Sequence, residues 1–175
     1  KPWYLALTLS IPPCVMSRIM AGGEGLDAQI ENIAEAGDVP VATLDDVDAL
    51  FDLLAGDPLE DQLDALRLTL EMNSDGDAMT STLIERYFQG YVRETWEYGR
   101  LVVEDSGIEN AGALFDQMSQ SLLVDRNMAW EPKIVDYVQG KTAVIAVGAA
   151  HLSGEDGVLR ALERDGYTIT ERALP

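Results

Sequence analysis

Apolar positions along the chain recur mostly at helical spacing, with three short runs that break it. Trp3, Leu5, Ala6 and Leu9 predict a first helix with Pro2 in its opening turn, and Pro12–Pro13 stops it. Leu26, Ile30 and Ile33 predict a helix over 26–36 that Gly37 closes. Asp45–Asp46 and Asp57–Pro58 stand where N-caps belong, ahead of helices running to about Leu54 and about Met72. Asn73–Asp77 reads as a helix–helix turn, its D-x-D lacking the spacing of a calcium loop. From Ala78 to about Asp105, Leu83/Ile84, Tyr87/Phe88, Tyr91/Val92, Trp96 and Leu101/Val102 keep the helical period. Gly90 and Gly99 weaken that run and allow a bend or close approach. After a break at Gly107–Gly112, helix resumes to about Gln139, and Pro132 predicts a kink or split at Glu131.

The three exceptions are Val39–Leu44, Ala143–Val147 and Tyr167–Thr170. Each is short and rich in branched or aromatic residues, and each reads as a strand. Helices alternating with such runs predict an α/β fold, helix-rich, with a small mostly parallel sheet, helices packed around it and a long-helix insertion. Ala143–Val147 ends at Gly148, followed by the small residues of Ala149–Ala150–His151 and by Ser153 and Asp156 as caps of an amphipathic helix. Val158, Leu159 and Leu162 lie on one face of that helix, and Gly166 follows it. The only histidine of the chain therefore lies just past the carboxyl end of an apolar run, where open α/β sheets place ligand chemistry. Two roles stand open for His151: plugging the turn through backbone hydrogen bonds, or serving as a metal ligand or acid/base group.

A second irregularity lies on the helix before it. Leu123, Asn127, Trp130, Ile134 and Val138 form one stripe, bordered by Arg126. An asparagine in an apolar stripe must find hydrogen-bond partners or cost roughly 1–3 kcal/mol. The neighbouring arginine must be paired or face a cavity.

Composition narrows the partners. The 175 residues fit one domain, with 47% hydrophobic residues to build its core. Twelve basic against 31 acidic residues give a net charge of -19, which argues against nucleic acid and anionic lipid as partners. Cys14 is the single cysteine, so no internal disulfide forms. No apolar run approaches the ~20 residues of a membrane span. The abrupt start at Lys1, straight into PWYLALTL, leads to the expectation of a fragment lacking an N-terminal portion, with residues 1–175 the C-terminal part of a larger domain.

LLVDRNMAW at Leu122–Trp130 together with AVGAAHLSGEDGVLRALERDGYTI at Ala146–Ile169 resembles the TraB/PrgY/GumN family, which is related to the Tiki metalloproteases. The shared pattern is an R-N dipeptide on a helix, then G-x-x-H-L-x-G-x-x-G and a closing G-Y. Gly148, His151, Leu152, Gly154, Gly157, Gly166 and Tyr167 stand at its positions. KPWYLALTL at Lys1–Leu9 and GLDAQI at Gly25–Ile30 resemble upstream segments, and Asp45 stands where the family usually has Glu. The family carries two G-x-x-H motifs, of which this chain holds the second.

The resemblance implies a metal-dependent, peptidase-like hydrolase acting on a peptide or small-molecule substrate, with His151 as a metal ligand. Arg126 would stabilise an oxyanion or hold a substrate carboxylate, and Asn127 would orient Arg126 or polarise a carbonyl. A catalytic metal needs about three protein ligands. A divalent ion (Mn, Co or Zn) is thus expected in the full-length protein and none tightly bound to this chain alone. The missing N-terminal segment or a second chain would complete the fold. The resemblance also favours a periplasmic or secreted location. The alternative it leaves is a non-catalytic regulatory protein that sequesters a signal peptide.

Overall fold

The computed structural model describes residues 1–72 and 76–172, so the expected turn at Asn73–Asp77 falls largely outside the described residues. The first five helices are α1 (Pro2–Leu9), α2 (Pro13–Met20), α3 (Leu26–Ala36), α4 (Val47–Ala55) and α5 (Leu59–Met72). Then come α6 (Gly76–Phe88), α7 (Val92–Asp105), α8 (Ala111–Ser119), α9 (Asp125–Val138) and α10 (Val158–Arg164). A π turn, Gln120–Val124, joins α8 to α9, and a 3-10 turn covers Ala149–His151.

The expected parallel sheet is not formed: no strand occurs among the described residues. Val39–Leu44, Ala143–Val147 and Tyr167–Thr170 run as irregular chain without ladder hydrogen bonds between them. Branched and apolar residues bias a segment toward extended backbone, but a ladder needs a second segment in register. Here three apolar side chains of the first two runs pack on helices instead. Leu44, Ile145 and Val147 lie against Trp130, Ile134 and Val158. The fold is helical.

Two small cores hold it. In one, Val103 of α7 and Ala111 and Phe115 of α8 are buried, with Leu68 and Trp96 against them. Gly99 faces the Phe115 ring, where an added methyl would make an ordinary van der Waals contact at 3.7 Å. The other joins α9 to α10 through Trp130, Ile134 and Val158, with Leu162 alongside. Farther out, α1 packs on α5, where buried Gln62 donates to the carbonyls of Ala55 and Asp57.

Local chemistry explains the remaining departures from the sequence pattern. The long helix expected over 78–105 is interrupted at Gly90, whose φ of +84° no helical residue adopts. Pro132 does not split α9, which runs unbroken from Asp125 to Val138. Its ring sits on the exposed side, so the backbone bond it deletes is not left buried. Asp46 alone caps α4, its carboxylate accepting from the N–H groups of Asp48 and Ala49, and Asp45 is released for another task. Neither Ser153 nor Asp156 caps α10, whose cap residue is Gly157.

Candidate functional site

Successive turns of α9 present Arg126, Asn127 and Trp130, and the 3-10 turn after Gly148 sets His151 against them. Spacings of three and four residues put Asn127 and Arg126 beside Trp130 on a helix. The indole becomes a shared platform. The His151 ring packs on it with centroids 4.4 Å apart and planes inclined at 40°, and the Arg126 guanidinium carbon lies 4.7 Å from the indole centroid.

Asn127 answers the question raised by its place in an apolar stripe. Its amide N–H groups donate to the carbonyls of Asp156 at 2.8 Å and His151 at 3.4 Å. The remaining Oδ1 must accept, so the 2.7 Å contact to His151 Nδ1 places the imidazole proton on Nδ1. The lone pair is left on Nε2, which has no hydrogen-bond partner among the described residues but is not sealed from solvent. The residue as a whole is buried, at 6% exposure. Burial lowers its pKa to about 4, with help from the Arg126 cation and against the pull of Asp45. The ring is therefore neutral at physiological pH.

Arg126 is held just as firmly. Its Nε and Nη2 donate to the two carboxylate oxygens of Asp45 at 3.1 and 2.8 Å, and Nη1 donates to the Leu122 carbonyl at 3.1 Å. Trp130 Nε1 adds a 2.9 Å bond to Asp45 Oδ1. The hydrogen bond from Arg126 holds the Asp45 carboxyl below its ordinary pKa, with burial opposing and Trp130 assisting. Lys133, one turn on, donates to the Leu44 carbonyl. Residues 126, 130 and 133 thus clamp the end of the Val39–Leu44 run onto α9.

All three residues singled out from sequence meet here, but not as expected. Asn127 orients His151 rather than Arg126. Arg126 directs three of its donors to Asp45 and Leu122. Sequence reading placed Asp45 among helix caps and did not assign its ion pair. It also missed Trp130 as a platform, although its spacing from Asn127 and Arg126 carried that signal. Beyond Asn127 opens a cleft of about 170 Å³ between α7 and the 150–156 turn, lined in part by Arg93, Trp96, Ser153 and Asp156. Gly154, with φ +95°, closes one wall, and the Arg93 guanidinium occupies the space a side chain there would need.

The model of the TraB/PrgY/gumN family matches residues 1–171. The chain belongs to the TraB/PrgY/gumN family. No curated protein and no solved structure matches it. This TraB/PrgY/gumN chain thus places its R-N dipeptide and its G-x-x-H histidine around one indole. No helix among the described residues is long and apolar enough to cross a membrane.

Proposed function

We propose that this chain supplies the histidine of a hydrolytic centre acting on peptides, the activity its family resemblance implies. One observation carries this reading: Asn127 fixes the proton on His151 Nδ1 and leaves the Nε2 lone pair without a hydrogen-bond partner among the described residues. A neutral ring oriented through its other nitrogen is how histidines are held for ligation. With a pKa of about 4 the ring is too weak a base to carry proton abstraction near neutrality, so the geometry favours the ligand role.

The described residues do not by themselves fit a catalytic metal. No group of three His, Cys, Asp or Glu side chains among them converges on one point. The Asp45 carboxylate is engaged by Arg126 and Trp130. What the chain contributes is one oriented nitrogen, a fixed guanidinium and a cleft beside them. Arg126 in this reading positions the site through Asp45 and Trp130.

The test is peptide hydrolysis with Mn²⁺, Co²⁺ or Zn²⁺ added, comparing the full-length protein with its His151→Ala variant. The expected outcome is a loss of about a hundredfold or more. Undiminished hydrolysis in the variant overturns the assignment.

A second reading is supported by exposed aromatics at the α6–α7 corner. Tyr87, Phe88 and Tyr91 are 50, 82 and 46% exposed, a surface suited to holding a peptide without cutting it. Peptide affinity unchanged by His151→Ala, with no turnover in either protein, is the signature of that sequestering role.

A further inference from the structure

The stretch that follows His151 holds itself weakly. Among the described residues, the N–H groups of Ser153, Gly154, Glu155 and Asp156 donate to no acceptor. A 3.1 Å bond from the Gly157 N–H to the Gly154 carbonyl closes its far end. Side chains from elsewhere supply further support. Asn127 Nδ2 donates to the Asp156 carbonyl and Arg164 Nη1 to the Glu155 carbonyl, each at 2.8 Å. The third support is Arg93 of α7, which crosses the cleft and lies against Gly154. A methyl on Gly154 would be 3.4 Å from the guanidinium carbon and closer still to Nη1. Arg93 donates no hydrogen bond among the described residues, and its ion pair with Glu97 spans 3.6 Å. The helix beneath it is fixed one turn on, where Trp96 Nε1 donates to Ser119 Oγ at 3.1 Å.

The consequence reaches the imidazole. While the Asp156 carbonyl accepts from Nδ2, the Asn127 Oδ1 must face the ring, and the proton sits on His151 Nδ1. If residues 153–156 swing into the cleft, that carbonyl leaves and only the longer 3.4 Å bond to the His151 carbonyl holds the amide. An amide turned over offers N–H to Nδ1 and drives the proton to Nε2, where it blocks the lone pair. Arg93 stands in the path of that swing. The charges acting on the ring are those of Arg126 and Asp45, so Arg93 works by contact.

We propose that Arg93 is a positioning residue for His151: its guanidinium props the 153–156 turn and, through the Asp156 carbonyl and Asn127, keeps the Nε2 lone pair available. The inference rests on the reading of His151 as an oriented ligand, and its test reads the orientation itself rather than the chemistry.

The ring nitrogens of the single histidine are followed by ¹⁵N NMR of the full chain near pH 7, where the ring is neutral and its shifts report the tautomer. Arg93→Ala should raise the Nε2–H fraction about threefold to tenfold, the effect of losing one hydrogen bond. Arg93→Lys, which keeps the charge without the planar group, should raise it by less. Glu97→Gln should leave it unchanged; a rise equal to that in Arg93→Ala overturns the prop, because a change of charge on α7 then suffices. A lower melting temperature in Arg93→Ala with the tautomer unmoved also overturns it, since the residue is then merely structural. Should Arg93→Ala fail to fold, Arg93→Lys decides, and an unmoved ring overturns the proposal. A shifted tautomer with undiminished metal-dependent hydrolysis upholds the prop and counts against the ligand role of His151. Hydrolysis lost with the tautomer unmoved overturns the prop alone.

Discussion

His151 illustrates how one residue is tuned by its neighbours. A ring pressed between Trp130 and Asn127 loses its hydration and faces the Arg126 cation, and both effects disfavour the protonated form. Because it is the only histidine, its ring signal can be followed by NMR without assignment, and its midpoint is expected near pH 4 rather than 6.5. The sign follows from linkage: the unfolded chain takes up this proton near 6.5 and the folded chain near 4. Stability should therefore fall as pH drops through that window, by up to about 3 kcal/mol, and level off below it as far as this group is concerned. Asp45 acts in the same direction at lower pH, since a carboxylate with depressed pKa stabilises only while ionised. Chemical denaturation between pH 7 and pH 3 checks both. Asn127→Ala strips partners from His151 Nδ1 and from two backbone carbonyls and should cost about 1–3 kcal/mol in the same assay. Asp45→Ala leaves Arg126 unpaired at a site about a quarter open to water, so the penalty is smaller, about 1–2 kcal/mol.

Elements here are positioned by a few side chains from α9. Arg126, Trp130 and Lys133 hold the end of the Val39–Leu44 run through Asp45 and Leu44, and Asn127 holds the turn that precedes α10. That turn is tight at Gly157, where an added methyl would lie within 2.6 Å of the Leu152 carbonyl oxygen and clash with Ser153 backbone. Backbone cannot swing aside as a flexible side chain can. Gly157→Ala is thus expected to destabilise by about 2–3 kcal/mol in thermal or denaturant unfolding. Gly25→Ala, at an open helix start with nothing nearby, should stay within about 0.5 kcal/mol.

At the scale of the whole molecule the surface is large. The chain exposes 12569 Å², where a compact protein of its mass exposes about 8,400 Å². Leu26 and Ile33 of α3 are 64 and 73% exposed, and Met20 of α2 is 82% exposed. Such a chain should bind a hydrophobic dye such as ANS in its native state, and burying these positions by a partner should abolish that signal. Its charge of -19 adds self-repulsion, so stability should rise as salt is raised from about 10 to 150 mM, where the screening length falls below roughly 10 Å. A melting temperature that falls with salt counts against this account.

The local pattern determined the helices with clear periodicity, such as α3, α5 and α7, and the turn that carries His151, because periodicity and glycine placement act within a few residues. The R-N dipeptide and the histidine motif were also legible, being contiguous in sequence. Three things were settled only by tertiary structure. The apolar runs at 39–44 and 143–147 found helix contacts instead of one another, because strand pairing depends on a distant partner and not on propensity. Asp45 found Arg126 from 81 residues away, and the His151 ring came to pack on the Trp130 indole. Contacts across such separations depend on how the helices pack, and no local pattern encodes that.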